Sequence, residues 1–272
     1  MSNKDVVTNE YSLLFGDCLE RMKEIPDESV DLILTDPPYG TTACKWDSVI
    51  PFEPMWVELK RIIKPNGAIV LFGSEPFSSA LRMSNIKQYK YDWVWDKKLP
   101  SGMQIAKYRP MQRHENIMIF CCDGTPNYYP IKTPQKERTG KIYSRSETTP
   151  VKYDDGKLKT YKDKNPQSIL EFYKRDGVSL HPTQKPVALL EYLIKTYTNE
   201  NEVVLDFTAG SFSTGVACVN TNRKGIMIEK DPHYFEIGSE RVKRALSEKV
   251  INQKPLQSNF YDAIDISNTI KE

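Results

Sequence analysis

Glu202-Val203-Val204-Leu205-Asp206-Phe207 runs directly into Thr208-Ala209-Gly210-Ser211-Phe212-Ser213-Thr214-Gly215. The first six residues are a short, largely apolar and β-branched run, which reads as a buried strand. The next eight are mostly small or hydroxylated and read as a turn into a helix that reaches about Asn222. Gly225-Ile226-Met227-Ile228-Glu229 restores the strand pattern, and Pro232 opens another helix running to about Leu246. Strand, helix and strand at this spacing make a β-α-β unit with an expected right-handed crossover. The unit has the layout of a nucleoside-binding corner. Small residues after the first strand let backbone approach a ligand, and Glu229 ends the next strand, where it can accept bonds from ribose hydroxyls. The glycine spacing is Gly210-x-x-x-x-Gly215, not G-x-G-x-x-G, so a dinucleotide is disfavoured. A cofactor without a pyrophosphate, such as S-adenosylmethionine, needs the close approach but no phosphate cradle. A Gly- and Ser-rich turn that merely caps a helix is the plain alternative, and Glu229 at the matching position argues against it.

The second informative stretch is Val30-Asp31-Leu32-Ile33-Leu34-Thr35-Asp36-Pro37-Pro38-Tyr39-Gly40. Val30 to Leu34 reads as a buried strand, and two prolines then end it, because they lack backbone N–H groups and fix φ. A carboxylate, bare carbonyls and an aromatic ring are left at the carboxyl end of a strand, where open α/β sheets bind ligands. That corner suits a flat aromatic amine. Asp36 and the Pro37 carbonyl can accept its two hydrogens, and Tyr39 offers a stacking face worth about 1–3 kcal/mol. A Pro-rich turn with a surface tyrosine is the structural alternative.

The remaining pattern is α/β throughout. Leu13–Phe15 predicts a strand closed by Gly16-Asp17, Cys18 to Ile25 a helix, Phe52 to Lys64 an amphipathic helix stopped by Pro65-Asn66-Gly67, Ala68 to Phe72 a strand, and Pro76 to Ser84 a helix. Tyr91 to Asp96 and Glu115 to Cys121 read as strands that could form an antiparallel edge on an otherwise parallel sheet. After His181-Pro182-Thr183-Gln184-Lys185-Pro186, a helix presents Leu189, Leu190, Leu193, Ile194 and Tyr197.

The 272 residues allow one large α/β domain or a domain with an inserted module. A net charge of +2 is too small to argue for nucleic acid by itself. Its distribution says more: from Lys132 to Arg175 there are twelve Lys/Arg against six Asp/Glu, with Tyr143, Tyr153, Tyr161, Phe172 and Tyr173 interspersed. Basic residues interleaved with aromatics suit a polyanion whose bases can stack. A solvated loop is the other reading, although a structureless loop of this length is uncommon in a compact domain. No stretch approaches a membrane span, and Met1-Ser2-Asn3-Lys4-Asp5 lacks the apolar core of a signal peptide. The five cysteines show no C-x-x-C spacing and the three histidines are scattered, so no metal site is expected and a reducing cytoplasm fits. Cys121-Cys122 reads as core packing.

Asp36-Pro37-Pro38-Tyr39, then His181 to Pro186, then Asp206 to Gly215 and Ile228-Glu229 resemble, in that order, the β-class amino DNA methyltransferases, the adenine-N6 enzymes of bacteria and their phages above all. The resemblance covers about residues 13 to 245. It implies a doubly wound, mostly parallel, seven-stranded Rossmann-like methyltransferase sheet with an inserted target-recognition region. It divides the chain into a catalytic half (1–122), a target-recognition region (123–180), a cofactor half (181–250) and a polar tail (251–272). It implies S-adenosylmethionine as cofactor and double-stranded DNA as substrate, and it leaves a homodimer and a cognate restriction endonuclease open as partners. Asp36 and the Pro37 carbonyl would receive the target amine and Tyr39 would stack on the extruded base. Asp17 would contact the cofactor's adenine, and Glu229 its ribose. His181, Thr183 and Lys185 would line the methionine end, and Asp206, Gly210 and Ser211 belong to the cofactor loop. Two positions depart from the family pattern: Thr208 and Phe212 stand where a Phe and a second Gly are usual. Phe212 is the harder one, since either the loop bends differently or cofactor binding is weakened.

Three rival readings follow. Cytosine-N4 transfer would use the same machinery, but such enzymes more often carry Ser in place of Asp36. Glutamine or RNA methyltransferases usually place the glycine loop before the Pro-Pro-Tyr corner. A catalytically lapsed DNA-binding protein is the reading that Phe212 would favour.

Overall fold

The computed structural model describes residues 4–40, 48–141, 158–174 and 184–253. The elements in chain order are β1 (Val6–Val7), β2 (Tyr11–Phe15), α1 (Cys18–Met22), β3 (Val30–Thr35), α2 (Phe52–Ile62), β4 (Ile63–Gly73), α3 (Phe77–Ser84), β5 (Tyr89–Ser101), β6 (Gln112–Phe120), β7 (Thr133–Lys141), β8 (Leu158–Lys164), β9 (Ile169–Glu171), α4 (Val187–Tyr197), β10 (Val203–Asp206), α5 (Ser213–Asn220), β11 (Lys224–Glu229) and α6 (Pro232–Gln253). One turn of 3-10 helix, Met103–Ile105, lies between β5 and β6.

The main sheet has the order β1-β2-β11-β10-β3-β4-β6-β5-β9. The expected seven strands form its body. Two short strands not anticipated from sequence, β1 and β9, extend its edges, so the sheet has nine strands rather than seven. From β2 to β4 all neighbours are parallel. β6 runs antiparallel to both β4 and β5, as the sequence predicts. β3 and β10 are adjacent, with Leu32 beside Val204 and Ile33 beside Leu205. This register brings the Asp36 corner and the glycine loop to the same end of the sheet, although 170 positions separate Asp36 from Asp206.

The strands are buried on both faces because helices cover both. Leu32, Leu34, Val70 and Phe72 face α4, α5 and α6, where Leu193, Tyr197, Ala217 and Val242 complete one apolar layer. Val30, Ile33, Ile69 and Leu71 face α1, α2 and α3, meeting Met22, Trp56, Leu59 and Leu81. Alternate residues of β4 point to opposite layers, the period-two geometry of a strand. Cys121 is fully buried, in keeping with its reading as core packing.

Several boundaries differ from the sequence expectation. Helix α1 ends at Met22 rather than Ile25. Helix α2 ends at Ile62, and β4 starts at once because Ile63 is already extended (φ −74°, ψ 136°). Lys64 precedes a proline, which excludes it from helical backbone and draws the chain into the strand early. Helix α6 continues to Gln253, past the expected end near Leu246 and into the expected tail. The larger correction concerns the basic segment. Most of its described part forms an antiparallel hairpin, β7 with β8, in a sheet of its own, while β9 joins the main sheet beside β5. The hairpin escaped detection because its strands, TPQKERTGK and LKTYKDK, carry almost no apolar alternation. Both faces of β8 are largely exposed, so no buried face imposes a hydrophobic period.

Candidate active site

Asp17, Asp36, Pro37, Tyr39, Lys185, Asp206, Gly210, Ser211 and Glu229 all line one cavity of about 230 Å³ at the carboxyl ends of β2, β3, β10 and β11. These are all the expected site residues that the structure describes. His181 and Thr183 lie outside the described residues.

The glycine loop is held from four sides. Asp206 is 5% exposed and spends both carboxylate oxygens on the protein. Oδ1 accepts from Thr35 Oγ1 (2.5 Å) and from the Thr208 N–H (3.2 Å), and Oδ2 accepts from Thr214 Oγ1 (2.6 Å). Burial pushes its pKa up to about 6, against the pull of these hydrogen bonds, and the nearby Asp36 charge adds to the rise. Asp206 therefore staples β3, β10 and α5 together beneath the loop. The Thr208 hydroxyl donates to the Asp36 carbonyl (3.1 Å), so this departure from the family pattern ties the two motifs directly. On the other side, Arg241 of α6 donates to the Ser211 carbonyl, to Ser211 Oγ (3.0 Å) and to Ser213 Oγ (3.1 Å). Glu229 Oε2 accepts from the Gly210 N–H (2.8 Å) and Oε1 from the Asp231 N–H (2.7 Å). Burial raises the Glu229 pKa. Each of its oxygens keeps a second lone pair for a ligand hydroxyl. Asp17 caps α1 by accepting from the Leu19 N–H (2.9 Å), and it too lines the cavity.

Phe212 resolves the difficulty that the sequence raised. Its backbone is left-handed (φ 57°, ψ 38°), the conformation that favours glycine. Its ring is fully buried and turned away from the cavity. It meets Phe235 edge-to-face, with centroids 5.6 Å apart, and lies against Gly238 of α6. The chain keeps a glycine-like turn at this position, and the Phe212 ring does not line the cavity.

At the Asp36 corner, Tyr39 Oη donates to Asp36 Oδ1 (2.5 Å) and its ring stacks on Phe77, with centroids 5.0 Å apart. Lys185 donates to Asp36 Oδ2 and pairs with Glu115 Oε2 at 3.3 Å. Glu115 Oε1 also accepts from Lys97 Nζ (3.2 Å). Burial and the Glu115 charge raise the Asp36 pKa, and Lys185 opposes them. Lys97 and Glu115 stand behind the cavity wall, joined to Asp36 through Lys185, and sequence reasoning missed both. Both stand on strands that read as simple sheet edge, and only the pairing of β5 with β6 beside β4 reveals their direction.

The same two strands carry a connection whose character also went unnoticed. From Lys97 to His114 there are five Lys/Arg and no Asp/Glu. Met103 is 70% and Tyr108 87% exposed there. Because Gly73 at the end of β4 pairs with Asn116 near the start of β6, this connection emerges at the cavity end of the sheet.

Comparison with known proteins agrees with this geometry. The family model described as DNA methylase matches residues 30–240, more than three quarters of the chain and all of the elements just described except β1, β2, α1 and the end of α6. The chain belongs to the DNA methylase family. This DNA methylase is 32% identical over 254 residues to the DNA adenine methyltransferase YhdJ of Escherichia coli (strain K12), covering 85% of this chain and 82% of that protein. It is 30% identical over 253 residues to the type II methyltransferase M.HpaI of Haemophilus parainfluenzae, covering 86% and 74%. Among solved structures, the cytosine-N4-specific PvuII DNA methyltransferase superposes with a TM-score of 0.62 at 18% identity, covering 91% of this chain and 95% of that one. The M1.HpyAVI–S-adenosylmethionine complex gives 0.57 at 22%, covering 86% and 98%. These two likenesses establish the shared fold.

The cofactor of the DNA methylase is S-adenosylmethionine, and the side chains that line its cavity suit the chemistry of that molecule. A cation rich in N–H and O–H donors would meet carboxylates from Asp17, Glu229 and Asp231 on the lining, and Leu19 and Ile50 would supply apolar surface for a base. Gly210, at φ 53°, lets the loop approach without a side chain.

Proposed function

We propose that this DNA methylase methylates the N6 amino group of adenine in double-stranded DNA, by direct displacement on a base extruded from the duplex. The observation that carries the reading is the single cavity shared by the Asp36 corner and the Gly210–Glu229 loop. Acceptor and donor sites that lie far apart in sequence face one volume. The relative named a DNA adenine methyltransferase, alike over most of both chains, supports adenine as the target.

In this reading Glu229 binds the ribose, Asp17 the cofactor's adenine, and His181, Thr183 and Lys185 belong to the methionine end. When bound, S-adenosylmethionine supplies an electrophilic methyl carbon on a sulfonium. Asp36 and the Pro37 carbonyl accept the two hydrogens of the target amine and turn its nitrogen toward that carbon. Tyr39, already braced by Phe77, presents a face to the base. Bonding of the nitrogen to the methyl carbon would break the carbon–sulfur bond, its electron pair leaving on S-adenosylhomocysteine; the Asp36 carboxylate would stabilise the positive charge gained by the nitrogen, and the surplus N–H proton would leave toward Asp36 and water. No enzyme nucleophile is needed. The Cys18 thiol, which burial pushes up to about 12, stays protonated. Alignment and fixed charge supply the acceleration, and extrusion of the base costs a few kcal/mol of unstacking.

The β7–β8 hairpin and its flanks form the target-recognition region between the two halves of the domain. The exposed Lys107, Tyr108 and Arg109 join it in facing DNA, with two charges for phosphates and a ring for a base. Among the described residues no helix is long and apolar enough to cross a membrane. A cytoplasmic setting, a homodimer and a cognate restriction endonuclease complete the proposal, the last prompted by the relative named a type II methyltransferase.

Incubation with unmethylated duplex DNA and S-adenosylmethionine, followed by nucleoside digestion and mass analysis, tests the reading. N6-methyldeoxyadenosine is the expected product. N4-methyldeoxycytidine alone would move the assignment to the cytosine enzymes, and no methylated base would favour a lapsed DNA-binding protein.

A further inference from the structure

The catalytic carboxylate does not stand alone. Lys97 of β5, Glu115 of β6, Lys185 ahead of α4 and Asp36 after β3 form a line of alternating charge. Their side chains are 4%, 14%, 9% and 19% exposed, in that order. The Lys185 ammonium is further enclosed by aromatic faces, 5.1 Å from the Phe72 ring centroid and 6.0 Å from that of Trp95. Four charged groups drawn from four elements and removed from water are expensive to keep, and their desolvation is offset only when each meets an opposite charge. Lys97 and Glu115 make no cavity contact of their own, so binding a ligand does not account for them.

We propose that Lys185 is a positioning residue that keeps Asp36 ionised and aimed into the cavity, and that Glu115 divides the Lys185 charge so that it does not neutralise Asp36. The proposal rests on the reading of Asp36 as acceptor of the target amine. A lone buried carboxylate takes up a proton, which turns one oxygen into a donor and removes the charge that would stabilise the amine nitrogen as it turns cationic. A lone ammonium beside it would restore the charge but cancel the negative potential needed by a nitrogen turning cationic. Shared between two carboxylates, Lys185 leaves the Asp36 end of the line with negative potential while fixing the Asp36 oxygens. Lys97 returns Glu115 to balance from the far side. Opposing burial, Lys185 and Lys97 hold the Glu115 carboxyl below its usual range, while Asp36 and Glu115 together raise Lys185. The other groups facing Asp36 are the Tyr39 hydroxyl and Asp206.

The test is the pH profile of single-turnover methyl transfer at saturating DNA and S-adenosylmethionine, with cofactor affinity measured in parallel. Activity should rise with pH as Asp36 loses its proton. Lys185→Met removes the cation and should move that acidic limb to higher pH by about one unit or more, recovering part of the rate in alkali. Glu115→Gln gives Lys185 wholly to Asp36 and should move the limb to lower pH, with a plateau reduced about tenfold or more. Lys185→Arg should hold the limb near its original place. The Asp206 pKa is raised too, but none of these substitutions touches its hydrogen-bond partners Thr35, Thr208 and Thr214, so opposite displacements point to Asp36. If Lys185→Met does not fold, the Glu115→Gln and Lys185→Arg profiles decide alone. A uniform loss at every pH in these variants would overturn the proposal and leave the adenine reading standing. Absence of methylated adenine with the unaltered protein would instead overturn the reading on which it rests.

Discussion

Asp36→Ala should lower methyl transfer by at least about a thousandfold at neutral pH, while S-adenosylmethionine should still bind. The magnitude follows from the loss of a preorganised acceptor at the point where charge develops, for which single donors or acceptors are worth about 100- to 1000-fold, and from the loss of alignment of the amine. Cofactor binding persists because Asp17, Gly210 and Glu229 are positioned by bonds that do not involve the Asp36 side chain. The substitution also leaves Lys185 with Glu115 as its remaining carboxylate partner among the described residues. Removing one member of a buried ion pair costs about 3–5 kcal/mol. Asp36→Asn is therefore the companion variant, keeping shape and one acceptor oxygen. Isothermal titration with the cofactor and a radiolabel transfer assay, run on both variants, separate the two effects. A variant that retained most of its turnover would remove Asp36 from the mechanism.

Gly238→Ala is the second large effect, on stability rather than chemistry. On an ordinary helix the change gains up to about 1 kcal/mol. Here a Cβ at position 238 would lie 2.4 Å from Cγ of Phe212 and 2.7 Å from both Cδ atoms. The ring cannot retreat, because it is fully buried and meets Phe235. Overpacking of this kind costs about 1–3 kcal/mol or more, and at about 2–4 °C per kcal/mol for a chain of this size the melting temperature should fall by several degrees. Phe212→Gly should also destabilise, by about 3–5 kcal/mol of lost ring burial, less about 1 kcal/mol of relieved left-handed strain. In the Phe212→Gly background, Gly238→Ala should turn from destabilising to neutral or better. Thermal denaturation of the two single variants and the double variant measures this coupling, and simple additivity would show that the ring and the glycine do not depend on each other.

That pair marks the boundary of what could be read from sequence. The β-α-β unit was legible because Val203–Asp206 and Lys224–Glu229 are buried on both faces and carry continuous apolar runs. The shared cavity was legible because its residues sit where strands end and turn chemistry begins, which leaves marks such as Pro37-Pro38 and Gly210. Phe212 could be flagged as anomalous but not resolved, since its partner Gly238 is an unremarkable helix position 26 residues away. The same holds for Lys97, Glu115 and Arg241. Each acts through a neighbour brought up by tertiary pairing, and a charged residue on an edge strand or surface helix reads as solvated until that pairing is known. The β7–β8 hairpin was missed for a different reason, since a strand with no buried face has no period to detect.

The most direct measurement is a co-crystal structure with sinefungin, whose amine stands where the cofactor's methyl group would be. Its nucleoside should lie between Asp17 and Glu229, and its amine should come within hydrogen-bond reach of Asp36 or the Pro37 carbonyl. Sinefungin seated away from Asp36, or bound in the separate cavity lined by Glu10, Arg223 and Lys249 at the opposite end of the sheet, would contradict the account.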